Sequence, residues 1–251
     1  MRRRLADEVA GQLLAMVTDG GHPPGSRLPP EAVLAEQAHV SRLTLREAVR
    51  VLRDKGVLSV EHGRGTFVNP PARWVALDPA LLRSRAELEG GSARSAQQIT
   101  ETRRIVEVGA VELAAQRRGE ADLVRLRSCI ERMQHAHERG DIVEFSVADV
   151  DFHDGLMTAA CNPYLAALLQ PIKALVQEVR LQTSIEPEMR LTAVAAHVAI
   201  LDAVAAGDED AACRNMTEHL AETHRVIERL CASGGLPAGR SGTPDAEQDV
   251  S

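Results

Sequence analysis

Aromatic side chains are nearly missing from this chain: three Phe, one Tyr and one Trp, 2% of 251 residues. The core must therefore be filled by Leu, Val, Ile and Ala, which favours helix packed on helix. Cysteine is scarce as well. Cys129, Cys161, Cys213 and Cys231 have no C-x-x-C spacing, which suits a reducing interior better than a disulfide frame. Apolar runs are interrupted by Arg, Glu or Gln within a few residues, so no membrane span is expected. The basic start, Met-Arg-Arg-Arg-Leu-Ala-Asp-Glu, has no apolar segment of the kind a signal peptide needs. A cytoplasmic protein is expected.

What is present suits a globular chain with one large or two modest domains, with 44% apolar and 26% charged residues. The net charge of −7 argues against nucleic acid only until it is divided along the sequence. Residues 1–74 carry 11 Lys+Arg against 8 Asp+Glu, and the remainder 18 against 28. Within 40–73 the ratio is 7 to 3. A local basic face is what phosphate binding requires.

Periodicity orders the chain. Leu5, Val9, Leu13, Met16 and Val17 predict a helix over 5–19, stopped by Gly20-Gly21. A short helix over 31–38 turns Val33 and Leu34 inward. Ser41 is a fitting N-cap for a helix over 42–55 with Leu45, Val49 and Leu52 inside and Gly56 after its end. Two strands, 57–60 and 66–68, flank His62-Gly63-Arg64-Gly65 as a hairpin wing. Residues 1–70 are thus a winged helix-turn-helix domain, 71–95 a partly helical linker with turns over 79–88, and 96–231 a helical domain. The Gly/Ser/Pro-rich stretch 232–251 is expected to be disordered. The fold class is mainly α, a winged helix-turn-helix followed by an all-α bundle. In the bundle, Ile105, Val108, Val111 and Leu113 mark one helix and Leu123, Leu126, Ile130 and Met133 the next. Further helices are expected over 142–160, 164–183, 188–206 and 208–230.

Arg42, Thr44, Arg46 and Arg50 lie opposite the apolar stripe of the 42–55 helix, as side chains entering a major groove must. Glycines around Arg64 let the wing tip approach a backbone closely. A solvated basic face on an ordinary three-helix unit is the plainer alternative, but helix, turn, helix and wing in sequence disfavour it.

These residues resemble the winged helix-turn-helix of the GntR family of bacterial transcription regulators. The matching string is Pro24-Gly25, Leu28-Pro29, Glu31, Leu34-Ala35, Val40-Ser41-Arg42, Thr44, Arg46-Glu47-Ala48, Leu52, Gly56 and Gly63-Arg64-Gly65-Thr66-Phe67-Val68. The resemblance implies DNA contacts from Arg42, Thr44 and Arg46, with His62 and Gly63 in the wing. It departs at Ala32, where the family usually has Arg, and at His39, where it usually has Gly and where the backbone would have to turn left-handed.

In the second half, Asp149 and His153 share a helix face, His197 sits on an apolar stripe, and His219 lies beside Met216 and Leu220. Spacing alone leaves satisfied core histidines as the simpler account and metal ligation as the alternative. His135, His137 and His224 are expected on solvated faces, and Cys161 as a buried structural thiol. Residues 97–230 resemble the FCD effector domain of the FadR subfamily through Glu101-x-Arg103…Glu107, Asp149-x-x-Phe152-His153…Asn162-Pro163, His197…Ile200-Leu201…Gly207-Asp208 and Met216-x-x-His219-Leu220. That resemblance implies a divalent metal on Asp149, His153, His197 and His219, zinc first, with nickel or manganese as alternatives. It makes Arg103 the partner of an effector carboxylate. Ala196 departs from the Glu that many members carry.

The expected protein is a non-enzymatic, DNA-binding transcriptional regulator, a repressor working as a homodimer on an inverted repeat and controlled by a small organic acid at its metal. A metal-dependent hydrolase, or a regulator with a purely structural metal and no effector, are the rivals.

Overall fold

The structure is a computed structural model describing residues 2–88 and 91–234. The chain divides between Gly90 and Gly91 into two compact units. The expected disordered tail lies, from residue 235 on, outside the described residues.

The first unit contains α1 (Arg2–Thr18), α2 (Glu31–Gln37), α3 (Arg42–Asp54), β1 (Leu58–Glu61), β2 (Gly65–Val68) and α4 (Pro79–Leu88). Its core is the stripe Leu45, Ala48, Val49 and Leu52 of α3, set against Val9, Leu13 and Val17 of α1 and Leu34 of α2. Ser41 caps α3 by accepting a hydrogen bond from the Thr44 N–H at 3.1 Å. Past its end, Gly56 has φ 76°, and a Cβ there would lie 2.3 Å from the Arg73 carbonyl oxygen. Only glycine fits this turn. Strands β1 and β2 pair antiparallel from Leu58↔Val68 to Glu61↔Gly65, forming the wing.

Trp74 and Leu81, from the stretch expected to be a linker, join this core, and the Trp74 indole donates to the Asn69 carbonyl at 3.1 Å. Two expectations fail here. Leu5 and Val33 are 42% and 40% exposed. The buried face of α1 runs Ala6, Val9, Ala10, Leu13, Leu14, Val17, one position away from Leu5. In the seven-residue α2, Leu34 and Ala35 fill the single inward stripe.

The second unit is α5 (Gly91–Arg117), α6 (Glu120–Arg139), α7 (Ile142–Ala159), α8 (Pro163–Leu169), α9 (Lys173–Thr183), α10 (Pro187–Ala206) and α11 (Glu209–Ala232). Helices α5, α6, α7, α10 and α11 enclose one apolar core containing Val111, Leu126, Met133, Phe145, Phe152, Ile200 and Met216. Asp141 and Asp208 cap α7 and α11.

On α5, Ile105 was expected inside and is 69% exposed. The buried stripe carries Ala96, Ile99, Arg103, Glu107, Ala110 and Val111. Two charged residues on the inner face moved the apolar periodicity off register. The single helix expected over 164–183 is broken by Pro171, which lacks an N–H and lies in the 3-10 turn Gln170–Ile172. Cys161, expected buried, is exposed, with φ 51° between α7 and α8. The expectation of no span-like segment also needs correction: α10 is long and apolar enough to cross a membrane by length and composition. Its packing on α5, α6 and α11, which buries Ile200 and Val204 completely, accounts for that composition.

Candidate functional site

In the first unit the groove-facing candidates are Arg42, Arg46 and Arg50 on the exposed side of α3, and His62, Gly63 and Arg64 at the wing tip, all exposed. Arg46 Nε lies 2.8 Å from Glu31 Oε2, and this hydrogen bond followed by the carboxylate charge raises its pKa. Arg50 is 3.8 Å from Glu47 and 3.9 Å from Asp54, while Arg64 pairs with Glu61 and stands 5.6 Å from the centroid of the Phe67 ring. Thr44 is placed differently. It is buried, with its hydroxyl 2.9 Å from Ser41 Oγ, so it fixes the start of α3. His39 adopts φ 52°, the left-handed turn that its position required.

In the second unit, α7, α10 and α11 bring His153, His197 and His219 together in the core, each with one candidate ligand atom within 4.8 Å of the others. His153 Nε2 and His197 Nε2 are 3.2 Å apart. The other nitrogen of each ring faces an oxygen. His197 Nδ1 lies 2.6 Å from the Ala193 carbonyl oxygen, which can only accept, so the proton belongs on Nδ1. His153 Nδ1 lies 2.7 Å from Glu107 Oε2, a short but oblique approach that leaves the nitrogen without an aligned hydrogen bond. A carboxylate there also requires the proton on Nδ1. With both rings in their neutral forms the two Nε2 lone pairs would face each other, an arrangement that a cation between them relieves. Zinc–nitrogen bonds of about 2.0–2.1 Å put adjacent ligands at about this separation. His219 Nε2 is buried without any partner. Burial pushes His197 down to about 3, and burial with the neighbouring imidazoles pushes His219 well below its usual range, so both are neutral and able to ligate. The donor set fits a divalent metal ion.

Asp149 closes the group, its Oδ1 3.5 Å from His197 Nε2 and its Oδ2 3.9 Å from His153 Nε2. Burial would raise its pKa, but Arg180 and the imidazoles hold it well below the carboxylate range.

Arg103, expected to meet an effector carboxylate, is 2% exposed with its Nε 2.6 Å from Glu107 Oε1. Burial works to raise the Glu107 pKa, yet Arg103 and His153 bring it down to about 2. The space beside Arg103 amounts to only about 20 Å³. A cavity of about 300 Å³ is lined instead by Arg180, His219, Asn215 and Thr223. Arg180 and Glu107 are the residues sequence reasoning did not assign. Glu107 stood in the matched string without a role. Arg180 offered no signal beyond being an arginine among the apolar positions of its helix. His135 is exposed as expected, while His137 and His224 are half-buried, the Nδ1 of His137 accepting from Arg190 Nε at 3.4 Å.

Comparison with known proteins gives matches over both units. A family model described as "Bacterial regulatory proteins, gntR family" matches residues 5–68, and a model of the FCD domain matches residues 98–222. The chain is 30% identical to the HTH-type transcriptional regulator LutR of Bacillus subtilis (strain 168) over 220 residues, covering 84% of this chain and 96% of the relative. It is 29% identical to the galactonate operon transcriptional repressor of Escherichia coli (strain K12) over 225 residues, 89% and 97% of the two chains. A solved Streptococcus agalactiae GntR structure superposes with a TM-score of 0.51 at 27% identity, covering 88% of this chain and 99% of that one.

Proposed function

Because the chain belongs to the GntR family of bacterial regulatory proteins and carries an FCD domain, we propose that this DNA-binding transcriptional regulator is a cytoplasmic, homodimeric repressor whose operator affinity is set by a small organic acid held at a metal. Arg42, Arg46 and Arg50 reach into the major groove of each half of an inverted repeat, with His62, Gly63 and Arg64 on the adjacent backbone and Thr44 holding the end of α3 in place. In the second unit His153, His197 and His219 would hold the ion, with Asp149 as the candidate fourth ligand. Three imidazoles and a carboxylate favour zinc, with nickel and manganese as the next candidates.

The observation that carries this reading is the 3.2 Å approach of two Nε2 atoms whose ring partners each face an oxygen, in a cluster whose third member, His219, has a buried unpartnered Nε2 and borders a 300 Å³ cavity. A bound divalent ion would supply a Lewis-acidic point beside that cavity, which His219 lines. His197, kept in one tautomer by the Ala193 carbonyl, and His153, whose Nδ1 faces Glu107, support the pre-orientation of the pair. Repression and a sugar-acid class of effector are supported by the name of the galactonate operon repressor among the relatives. Arg103 serves the acid through Glu107 and His153, since its own guanidinium has little free space beside it. An acid lowers operator occupancy only if it binds the DNA-bound and free forms with different free energies.

The deciding experiment is a gel-shift assay on DNA flanking the protein's own gene, with zinc-loaded and chelator-treated protein, against a panel of aldonates and 2-hydroxy acids. The expected result is a shifted complex that at least one acid weakens in the zinc-loaded form alone. Acid responses that are identical with and without chelator refute the metal-held effector, and a missing shift refutes the operator assignment.

A further inference from the structure

Asp149 has two claimants. Arg180, 3% exposed on α9, places Nε 2.7 Å from Asp149 Oδ2 and Nη2 against Oδ1, while its Nη1 lies 3.4 Å from Thr223 Oγ1. The same carboxylate borders the imidazole cluster through both oxygens. Arg180 is also the buried cation on the wall of the 300 Å³ cavity. Both ends of one ion pair therefore belong to functional space, Asp149 to the metal cluster and Arg180 to the cavity.

Charge counting adds a second constraint. Among the described residues the buried carboxylates are Asp149 and Glu107, and each already faces a buried arginine, Arg180 and Arg103. The imidazoles must be neutral to offer lone pairs. As it stands the centre carries no net charge. With a divalent ion in place it has an excess of two positive charges and no unpaired buried carboxylate to meet them, and uncompensated buried charge is strongly unfavourable. The cavity acids do not supply that charge: Glu222 is held by Arg225 at 2.7 Å and Arg229 at 3.4 Å, and Glu218 is exposed.

We infer that Arg180 is a metal-gated receptor for the carboxylate of the effector, and that Asp149 is its built-in competitor. Without a metal, Asp149 fills the guanidinium fork, so the buried cation of the cavity wall offers no free fork, while the exposed Arg225 at the cavity's edge is paired with Glu222. Once Asp149 commits its oxygens to the cluster, the fork of Arg180 is released toward the cavity, where a carboxylate can take both of its donors. Acid binding thereby depends on prior occupation of the histidine cluster. This rests on the metal reading above and deepens it by naming the residue that recognises the acid.

Titration calorimetry on the full-length protein tests it, with zinc, acetate and galactonate as probes and galactose as the uncharged control. Metal-free wild type should bind neither anion, and zinc-loaded wild type should bind acetate and galactonate but not galactose. Arg180→Lys should keep one equivalent of zinc and bind the anions at least about tenfold more weakly, because an ammonium cannot grip a carboxylate bidentately. Asp149→Asn should gain acetate binding in the metal-free state, because its amide no longer holds the fork. Anion binding that is equal in metal-free and zinc-loaded wild type, or absent from both, overturns the gate. So does unchanged anion affinity in zinc-loaded Arg180→Lys, or a folded, metal-free Asp149→Asn that does not respond to acetate. Failure of zinc itself to bind wild type overturns the metal reading instead, and the zinc titration reports that separately. If Asp149→Asn does not fold, the wild-type and Arg180→Lys titrations still decide.

Discussion

Glu107 Oε2 lies 2.7 Å from His153 Nδ1 while its other oxygen lies 2.6 Å from Arg103 Nε, so one buried carboxylate both neutralises an arginine and faces a ring of the histidine cluster. Glu107→Gln removes the charge and keeps the shape. Leaving Arg103 buried without a counter-charge should cost about 3–5 kcal/mol of stability. Loss of the carboxylate behind His153 should weaken zinc binding by about 10–100-fold. Urea unfolding of the metal-free protein and a competitive zinc titration measure the two separately. A variant as stable and as tight as wild type refutes both roles.

The DNA-reading face gives a second prediction. Arg46→Ala should cost roughly 1–3 kcal/mol on the cognate operator, the range of a good base contact, and leave zinc affinity unchanged. Glu31 restrains Arg46 in the free protein. Glu31→Gln is therefore expected to change the salt dependence of operator binding less than Arg46→Ala does. Binding isotherms at several salt concentrations check both, and an Arg46→Ala protein with wild-type affinity removes that residue from the interface.

Acid should unfold the metal-free second unit in two stages. His197 has its pKa held at about 3 by burial, against about 6.5 in the unfolded chain, so the unfolded state takes up protons first as the pH falls. Its contribution is complete above about pH 6.5 and is lost from there toward pH 3. Glu107, held at about 2, adds a loss that begins near pH 4.5 and continues to about pH 2. Thermal midpoints measured with chelator should fall steadily below about pH 6.5. In His197→Gln the fall between about pH 6.5 and 5 should be shallower. A flat wild-type profile over that interval contradicts the burial argument.

Turn chemistry supplies a fourth prediction. Gly56→Ala forces a left-handed φ of 76° on an L side chain and sets its Cβ against the Arg73 carbonyl oxygen. The change should destabilise the first unit by more than about 1 kcal/mol and weaken operator binding by lowering the folded fraction. Ser41→Ala, which removes the cap of α3 and the partner of the Thr44 hydroxyl, should cost about 0.5–2 kcal/mol. Differential scanning calorimetry of both variants against wild type tests these values.

Much of this was legible in the sequence because it rests on local rules. Ser41, Gly56, Asp208 and Gly207 announce helix ends by chemistry that acts within one turn. His39 was marked for a left-handed turn by the resemblance, since it stands where the family usually has Gly, and it adopts φ 52°. Asp149 and His153 were visible on one helix face and His197 and His219 on apolar faces, but only the resemblance to the FCD domain implied that the four form one metal set. What escaped depends on contacts distant in sequence. Arg180 meets Asp149 across 31 residues, a pairing that no periodicity encodes. Ile105 was assigned to the wrong face because Arg103 and Glu107, which look like surface residues, occupy the buried stripe of α5. Pro171 was visible, but whether it would kink one helix or separate two is decided by the packing of α8 and α9.

His153, His197 and His219 come from three helices, and 44 residues of chain separate the first two. An ion gripping them works as a cross-link, closing long loops that an unfolded chain would otherwise leave open. The entropy of loop closure grows only slowly with length, so most of the benefit lies in having the tie at all. Zinc occupancy should therefore make the unfolding of α7, α10 and α11 a single concerted event, and hydrogen exchange in these three helices should slow together when the ion is added.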